Sequence, residues 1–193
     1  YTVVGDMYLA TNYEVAAGKT LIVPANATIT TTGNAVITNN GTLHANGTVA
    51  GNNLAGNGSF IYDQLAATDI VFNKESYTYK GTAFTLADGL DVTISRVMCG
   101  KTFTFDDSKT SVSYENNRNV GDNAKVTWGN TNGSSVSKTF SITPKTLAIS
   151  NIAAEPKTYD GNTATTVSYT ADVFSGDDVT FGAAAAFADK NVG

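Results

Sequence analysis

Between residues 19 and 60 the chain keeps repeating a short unit of Asn, Gly, Thr and one aliphatic residue. The clearest copies read NGTL at 40–43, NGTV at 46–49 and NGSF at 57–60. Looser copies precede them, so that apolar anchors recur at Leu21, Ile29, Ile37, Leu43, Val49, Leu54 and Phe60. Successive anchors are 8, 8, 6, 6, 5 and 6 residues apart. An internal repeat of this kind constrains the fold more strongly than composition does.

The anchor spacing argues against an amphipathic helix, whose apolar residues lie three and four positions apart. The runs between turns are also too short for hairpin strands of ordinary length. A short parallel β-solenoid fits the spacing, because each short strand would contribute one inward aliphatic residue while Gly or Asn forms the corners. Short hairpins are the alternative, since Asn-Gly is also the strongest hairpin signal.

Charge divides the chain into two kinds of sequence. Residues 1–60 contain Asp6, Glu14 and Lys19 as their charged side chains, whereas residues 61–193 contain the other 26. The 12 basic and 17 acidic residues give a net charge of −5. This balance argues against a nucleic-acid partner, because phosphate contacts need clustered Lys and Arg. No run approaches the roughly 18 apolar residues of a membrane span, so membrane insertion is not expected.

From about Asp69 the sequence alternates between apolar and polar residues. The apolar positions of three such runs are Val92 and Ile94, Phe103 and Phe105, and Phe140 and Ile142. Alternation with a period of two over short runs predicts half-buried strands in antiparallel sheets, and the number of runs predicts an immunoglobulin-like β-sandwich. The alanine run at 182–187 is ambiguous, because alanine favours helix while the neighbouring runs favour strand.

One turn occurs twice in this second part of the chain. ESYTYKGT at 75–82 and EPKTYDGN at 155–162 share Glu, Thr, Tyr and Gly at an offset of eighty, and RNVG at 118–121 matches KNVG at 190–193. The repetition predicts two sandwich domains in tandem. The predicted domains are a solenoid segment at 1–68, a first β-sandwich at 69–146 and a truncated second β-sandwich at 147–193.

The repeated turn is predicted to be structural. Tyr79 or Tyr159 would pack its ring against the strand edge, and Gly81 or Gly161 would supply a backbone conformation that a side chain forbids. Stacking of the tyrosines on carbohydrate is the alternative interpretation.

The second copy is shorter than the first. Two strand-like runs follow NVG in the first copy, whereas the second copy stops at Gly193. We therefore expect the second sandwich to lack its last strands and to expose a sheet edge. Further tandem domains of the same chain would then follow.

Residues that could support catalysis or bind a metal are sparse. Cys99 and His44 each occur once, which excludes a disulfide within the chain and argues against a zinc site. Cys99 is interpreted as a small core residue and His44 as a surface residue. The acidic stretches FDDSKT at 105–110 and SGDDVT at 175–180 are interpreted as exposed turns, with Ca²⁺ binding as the alternative. We expect no cofactor and no enzymatic activity.

The repeated turn also carries a family resemblance. KTYDGNT, followed by GDDVTF and FADKNVG, resembles the YDG-type repeat. The stretch from YTYKGTAF to SKTFSITPKTL resembles related glycine-rich, mostly-β repeats of large bacterial surface proteins and haemagglutinin-like adhesins. The resemblance covers about residues 69–193. It implies an immunoglobulin-like stalk module that is exported to the bacterial cell surface, and it implies no catalytic residues.

The leading functional hypothesis is a non-catalytic stalk or spacer of a bacterial surface adhesin. The alternative is a binding module that contacts a glycan or a host surface protein through the solenoid face. Exposed aromatic side chains on one solenoid face would favour binding, and an even polar surface would favour the spacer. The short junction ITPKTLAIS, stiffened by Pro144, fits the spacer because short linkers containing proline hold domains in a nearly fixed relation.

Overall fold

The computed structural model describes residues 1–51 and 53–191. Strands and turns make up this part of the chain, and its helical elements are two 3₁₀ turns at Ala67–Asp69 and Asp107–Lys109. The prediction of an all-β chain is confirmed. None of the described residues forms a helix long and apolar enough to cross a membrane.

Nine short strands occupy the first part of the chain. They are β1 (Asp6–Leu9), β2 (Tyr13–Val15), β3 (Thr20–Val23), β4 (Thr28–Thr31), β5 (Ile37–Asn39), β6 (Thr42–Ala45), β7 (Thr48–Ala50), β8 (Leu54–Ala55) and β9 (Ser59–Tyr62). Each pairs in parallel with the strand three places along the chain, so that β1-β4-β7, β2-β5-β8 and β3-β6-β9 are hydrogen-bonded in that order. The chain visits three sheets in turn, and each round lies on the previous one.

The apolar anchors found in the sequence face the space between these sheets. Register partners in consecutive rounds are Leu21, Leu43 and Phe60 in one sheet, Ile29 and Val49 in the second, and Ile37 and Leu54 in the third. All are buried except Phe60, which is half-buried and packs against the core. Burial of a whole aliphatic side chain stabilises a fold by about 1.5–3 kcal/mol. The stacked apolar rows therefore account for the stability of this segment, which has few charges.

At some positions of the repeat, glycine is required because a side chain would clash with neighbouring atoms, and its backbone angle is not the reason. A Cβ added at Gly47 would lie 2.1 Å from the carbonyl oxygen of Pro24 and 2.2 Å from that of Ala27. Gly47 lies outside the left-handed region, so the close approach of two rounds is what excludes a side chain here.

Eight strands form the second part of the chain. They are β10 (Ile70–Phe72), β11 (Ser76–Thr78), β12 (Val92–Ile94), β13 (Arg96–Met98), β14 (Lys101–Phe105), β15 (Ser111–Glu115), β16 (Gly121–Gly129) and β17 (Ser135–Thr143). One sheet has the order β11-β17-β16-β15, and a two-stranded sheet joins β10 to β12. Most pairs are antiparallel, but β11 pairs in parallel with β17 at the outer edge of the β16–β17 hairpin.

Aromatic side chains fill the space behind the four-stranded sheet. Phe140 on β17 lies edge-on to Tyr77, Phe84 and Phe72, with ring centroids between 5.6 and 6.4 Å apart. Trp128 on β16 is fully buried in the same core. Edge-on contacts of this kind add to the area that the rings bury, and they hold β10 and β11 against the hairpin.

Strands β13 and β14 extend a sheet of the first part. β14 pairs in parallel with β9, with Thr104 opposite Ile61 and Phe105 opposite Tyr62, and β13 pairs antiparallel with β14. The resulting five-stranded sheet has the order β13-β14-β9-β6-β3. One continuous sheet therefore contains strands from both sides of residue 68.

The last part of the chain contains two small antiparallel pairs. β18 (Ile149–Ala154) pairs with β20 (Val167–Ala171), and β19 (Ala164–Thr165) pairs with β21 (Ala185–Ala186). Every residue of β18 is exposed. The alanine run ends in strand β21 and forms no helix, while Val192 and Gly193 of the KNVG landmark lie outside the described residues.

Candidate functional site

The first copy of the repeated turn begins where β11 ends. The amide of Tyr79 donates a hydrogen bond to the carbonyl of Thr143 over 2.9 Å, which continues the pairing of β11 with β17. The chain then turns at Gly81, whose φ of +78° lies in the left-handed region that favours glycine. The strand pairing fixes the position of the Tyr79 ring, which is half-buried.

A loop from the last part of the chain packs on this turn. The Phe174 ring lies edge-on to the Tyr79 ring, with centroids 5.9 Å apart. A Cβ added at Gly81 would lie 2.7 Å from Cβ and 2.8 Å from Cγ of Phe174. Gly81 is therefore needed twice, once for its backbone angle and once to leave room for Phe174.

Polar contacts surround the Phe174 ring. The Tyr79 hydroxyl donates to Oδ1 of Asp177 over 2.5 Å, and this hydrogen bond is the main cause that raises the pKa of Tyr79, with a smaller opposing effect from Arg118. Nζ of Lys145 lies 5.3 Å from the Phe174 ring centroid and forms an ion pair with Asp172. The aromatic contact is thus bracketed by one hydrogen bond and one exposed ion pair.

Asp172 also closes one end of the β18–β20 pair. Its carboxylate accepts the amide of Ala148 over 2.7 Å, and its own amide donates to the carbonyl of Ala148 over 3.2 Å. The Lys145 hydrogen bond, followed by the Ala148 amide, lowers the pKa of the Asp172 carboxyl. Lys145, two residues after the end of β17, thereby connects that strand to the loop that docks on Tyr79.

The second copy of the turn has the same backbone and a different environment. Gly161 has a φ of +78°, like Gly81, but no described atom lies within 4 Å of a Cβ added there. The side chain of Tyr159 is 61% exposed. Lys157 instead bonds to Asp160 and Asn162, each over 2.7 Å, and its hydrogen bond is the main cause that lowers the pKa of the Asp160 carboxyl.

A groove of about 690 Å³ lies beside Tyr159. Its other walls include Lys157, Phe187 and Lys190. The groove combines an aromatic face, an exposed apolar ring and two cationic side chains. The four residues predicted for the turns thus lie in two separate places, one occupied by a loop of the protein itself and one open.

A second cluster, which the sequence did not indicate, lies where the first part meets the second. Arg96 on β13 donates through Nε to Oδ1 of Asp69 over 3.0 Å and through Nη2 to Oδ2 over 2.6 Å. It also donates to the carbonyls of Ala45 and Gln64 over 3.0 and 2.9 Å. The guanidinium lies 4.1 Å from the Tyr62 ring centroid. A bidentate pair of this kind is the geometry for which arginine is suited.

The same cluster is almost completely buried. Asp69 is 4% exposed and Tyr62 is fully buried, and burial is the main cause that raises the pKa of Tyr62 to about 12. Asn130 adds two hydrogen bonds, accepting the amide of Leu65 over 2.8 Å and donating to its carbonyl over 3.0 Å. The segment that connects the two parts is therefore fixed on both sides.

The remaining candidate groups have structural surroundings. The Cys99 thiol donates to the carbonyl of Val49 over 3.4 Å, and burial raises its pKa. His44 is half-buried, with Nε2 3.2 Å from Oδ1 of Asp63, which differs from the surface position predicted for it. In residues 1–51 and 53–191, no group of three or more His, Cys, Asp or Glu side chains is placed to hold a metal ion.

The outward positions of the three parallel sheets are mainly threonine, serine and alanine. Tyr8 on β1 differs from them, since it is 70% exposed and lies in one row with Thr30 and Ala50. The outer surface is thus mostly polar, and two exposed aromatic rings, those of Tyr1 and Tyr8, lie near its start.

The family comparison agrees with the C-terminal part of this description. Residues 143–193 match the YDG domain family, which supports the YDG-type repeat predicted there and leaves the rest of the chain unassigned. No curated protein and no solved structure matches the chain.

Proposed function

We propose that this chain is a non-catalytic spacer segment of a bacterial cell-surface, adhesin-like protein and that it presents a binding region away from the cell. The observation that carries the proposal is the junction at Arg96. There the sheet of the first part continues into β14, and the buried Arg96–Asp69 pair fixes the connecting segment. A spacer needs stiff joints between its parts, and a shared sheet is stiffer than a flexible linker.

The proposal includes a finer description of the fold. The first part would be a short parallel β-solenoid, which the three parallel sheets and their stacked apolar rows support. The second and third parts would be tandem immunoglobulin-like β-sandwich repeats. The docking of Phe174 on the Tyr79 turn supports a tandem arrangement, because it gives the two repeats a specific mutual contact.

Extracellular localisation on a bacterial surface is part of the same proposal. It rests on the resemblance of residues 69–193 to repeats of large surface proteins and on the YDG match at 143–193. Further tandem domains of the same chain would be the main partners of such a segment.

Small-angle X-ray scattering of the full chain tests the spacer. We expect residues 1–143 to fit one stiff body in the wild-type curve between 50 mM and 1 M NaCl, because the Arg96 pair is buried and salt screens buried pairs weakly. The Arg96→Ala variant should give a broader distribution of dimensions. A wild-type curve that requires free motion between residues 1–62 and 69–143 would contradict the proposal.

A second candidate is a binding module for a glycan or a host surface protein. The exposed ring of Tyr8 favours it, since an exposed aromatic face can stack on a sugar. Binding of the full chain to immobilised glycans and matrix proteins, compared with Tyr8→Ser, tests this function. Binding that Tyr8→Ser abolishes would assign the outer face of the first part to recognition.

A further inference from the structure

The open turn at residues 159–161 has the same backbone as the turn at residues 79–81, and the first turn is already occupied by the Phe174 loop of the same chain. We infer that this second turn is a docking site for another YDG-type repeat, whose loop would place its phenylalanine over Gly161 and its aspartate on the Tyr159 hydroxyl. The inference deepens the proposed spacer function and rests on it, since it names the partner of the second turn.

The two turns share the features that docking uses. Each has a tyrosine two residues before a glycine, and both glycines have a φ of +78°. At the first turn the missing side chain is what admits Phe174, because a Cβ on Gly81 would lie 2.7 Å from Cβ of that residue. At the second turn the same space is open. Both turns therefore have the backbone geometry that accepts a phenylalanine. Phe174 occupies the turn at Gly81, and the turn at Gly161 is open.

The second turn offers a tyrosine hydroxyl and the cation of Lys190, with the carboxylate of Asp189 in the same groove and with Lys157 already paired with Asp160. Asp177 receives the Tyr79 hydroxyl at the first turn, where Arg118 also acts on Tyr79. Arg118 begins the RNVG motif, and Lys190 begins the matching KNVG motif and lines the groove beside Tyr159. A docked aspartate would thus meet a tyrosine hydroxyl and a cation at either turn. Charge complementarity of this kind favours a specific partner and register.

The φ of +78° by itself favours glycine at 161, and the likeness of the two turns is what favours a YDG-type repeat over a sugar as the partner of the second turn. A sugar would stack on the exposed ring of Tyr159 and would place no requirement on residue 161. A phenylalanine that packs as Phe174 does on Gly81 excludes any side chain at the glycine. The partner is therefore a protein loop with an aspartate three residues after a phenylalanine, like Phe174–Asp177.

A change at the first turn gives a direct test in the full chain. Gly81→Ala should displace the Phe174 loop, which can then dock on the open turn of a second copy. We expect wild-type chain to remain monomeric in sedimentation velocity up to about 1 mM, a concentration in the range that a short linker provides. Gly81→Ala should form larger species whose weight-average mass rises at least twofold with concentration.

Two matched variants separate docking from other association. Gly81→Ala/Gly161→Ala removes the acceptor, and Gly81→Ala/Phe174→Ala removes the donor, so both should stay monomeric. Gly161→Ala alone places alanine at the same φ as Gly81→Ala and controls for backbone strain. If Gly81→Ala unfolds, as Trp128 fluorescence would report, Tyr79→Ala removes both the ring and the hydroxyl that hold the Phe174 loop, adds no backbone strain at residue 81 and carries the same expectations.

Some outcomes would overturn the inference. Gly81→Ala that stays monomeric up to 1 mM contradicts it, as does association that persists in the variant lacking the acceptor glycine. Binding of a glycan that depends on Tyr159, together with monomeric Gly81→Ala, would assign the turn to sugar recognition. None of these results would alter the wild-type scattering curve, so the spacer proposal fails or survives independently.

Discussion

The molecule contains two junctions, and they are built differently. At the first junction β14 hydrogen-bonds to β9, and Arg96, on strand β13 of the same sheet, forms a buried bidentate pair with Asp69. At the second junction side chains make the contacts: Phe174 packs on Gly81, Tyr79 bonds to Asp177, and an exposed Lys145–Asp172 pair lies beside them. The first junction is thus a continuous ladder, and the second is a surface contact.

This difference implies different responses to solution conditions. Buried charges are hardly screened by salt, and breaking a buried pair leaves an uncompensated charge. Exposed pairs are screened and contribute little individually. We therefore expect the first junction to stay rigid under all mild conditions and the second to be the place where the chain bends.

The largest effect is expected at Arg96. Arg96→Ala leaves Asp69 buried without its cation, and loss of one partner of a buried pair costs about 3 to 5 kcal/mol. Urea unfolding followed by the fluorescence of Trp128, the one tryptophan of the chain, measures the free energy of unfolding. Arg118→Ala, which changes the other, exposed arginine, should cost less than about 1 kcal/mol. Equal losses for the two arginines would remove the distinction between the junctions.

The second-largest effect is expected at Gly81, which can be compared with Gly161 because the two glycines have the same φ. Gly81→Ala and Gly161→Ala both place alanine at a φ of +78°, a strain of roughly 1–2 kcal/mol. Gly81→Ala should cost about 1–3 kcal/mol more, because its Cβ meets Phe174 and overpacking adds to the strain. Hydrogen exchange of residues 149–186 measures the opening of the second junction. A similar rise in exchange for both variants would mean that Phe174 does not depend on the bare glycine.

Phe174→Ala should weaken the same junction more gently. The ring is half-buried, and full burial of a phenylalanine contributes about 1.5–3 kcal/mol, so we expect a loss of about 1–2 kcal/mol confined to the last part of the chain. Protease cleavage within residues 149–186 measures it. Ile152→Ala is the matched control, because Ile152 is 68% exposed and its change should stay within about 0.5 kcal/mol. A loss that also appears in the Trp128 signal would show that the ring supports the whole chain.

How much of this could be predicted from the sequence differs between the two junctions. The repeated Tyr and Gly positions were visible, and their shared offset indicated a turn used twice. Phe174 and Asp177 were not identified as partners of Tyr79, because a contact between residues about 95 positions apart depends on how distant parts of the chain pack together. Arg96 and Asp69 were missed for the same reason: 27 residues separate them, and neither belongs to a motif.

The first part illustrates the same limit within one segment. Anchor spacings of 5 to 8 reflect three faces visited in turn, so the period of the structure is a sum of three spacings. Leu21 and Leu43 lie 22 residues apart and Leu43 and Phe60 lie 17 apart, yet both pairs are in register. Rounds of unequal length hide the period from a search for one fixed repeat. The inward residues were still identified, because burial depends on the local apolar pattern.

The smallest effect concerns the exposed ion pair of the second junction. The Lys145 contact lowers the pKa of the Asp172 carboxyl, so its contribution is fully present above the ordinary aspartate value of about 3.9 and is lost as the pH falls through the folded value. Protease cleavage within residues 149–186 should therefore increase slightly below about pH 4. Lys145→Gln should increase it at neutral pH and make it nearly independent of pH in this range.

Salt distinguishes this pair from the aromatic contact beside it. In 1 M NaCl the Debye length is about 3 Å, so wild type should approach Lys145→Gln in protease sensitivity while Phe174→Ala stays more sensitive than either. Arg96→Ala should keep its full loss of stability at both salt concentrations. 1 M NaCl could instead fail to bring the protease sensitivity of wild type closer to that of Lys145→Gln. The ion pair would then not contribute to the second junction, and the packing of Phe174 on Gly81 would hold the junction alone.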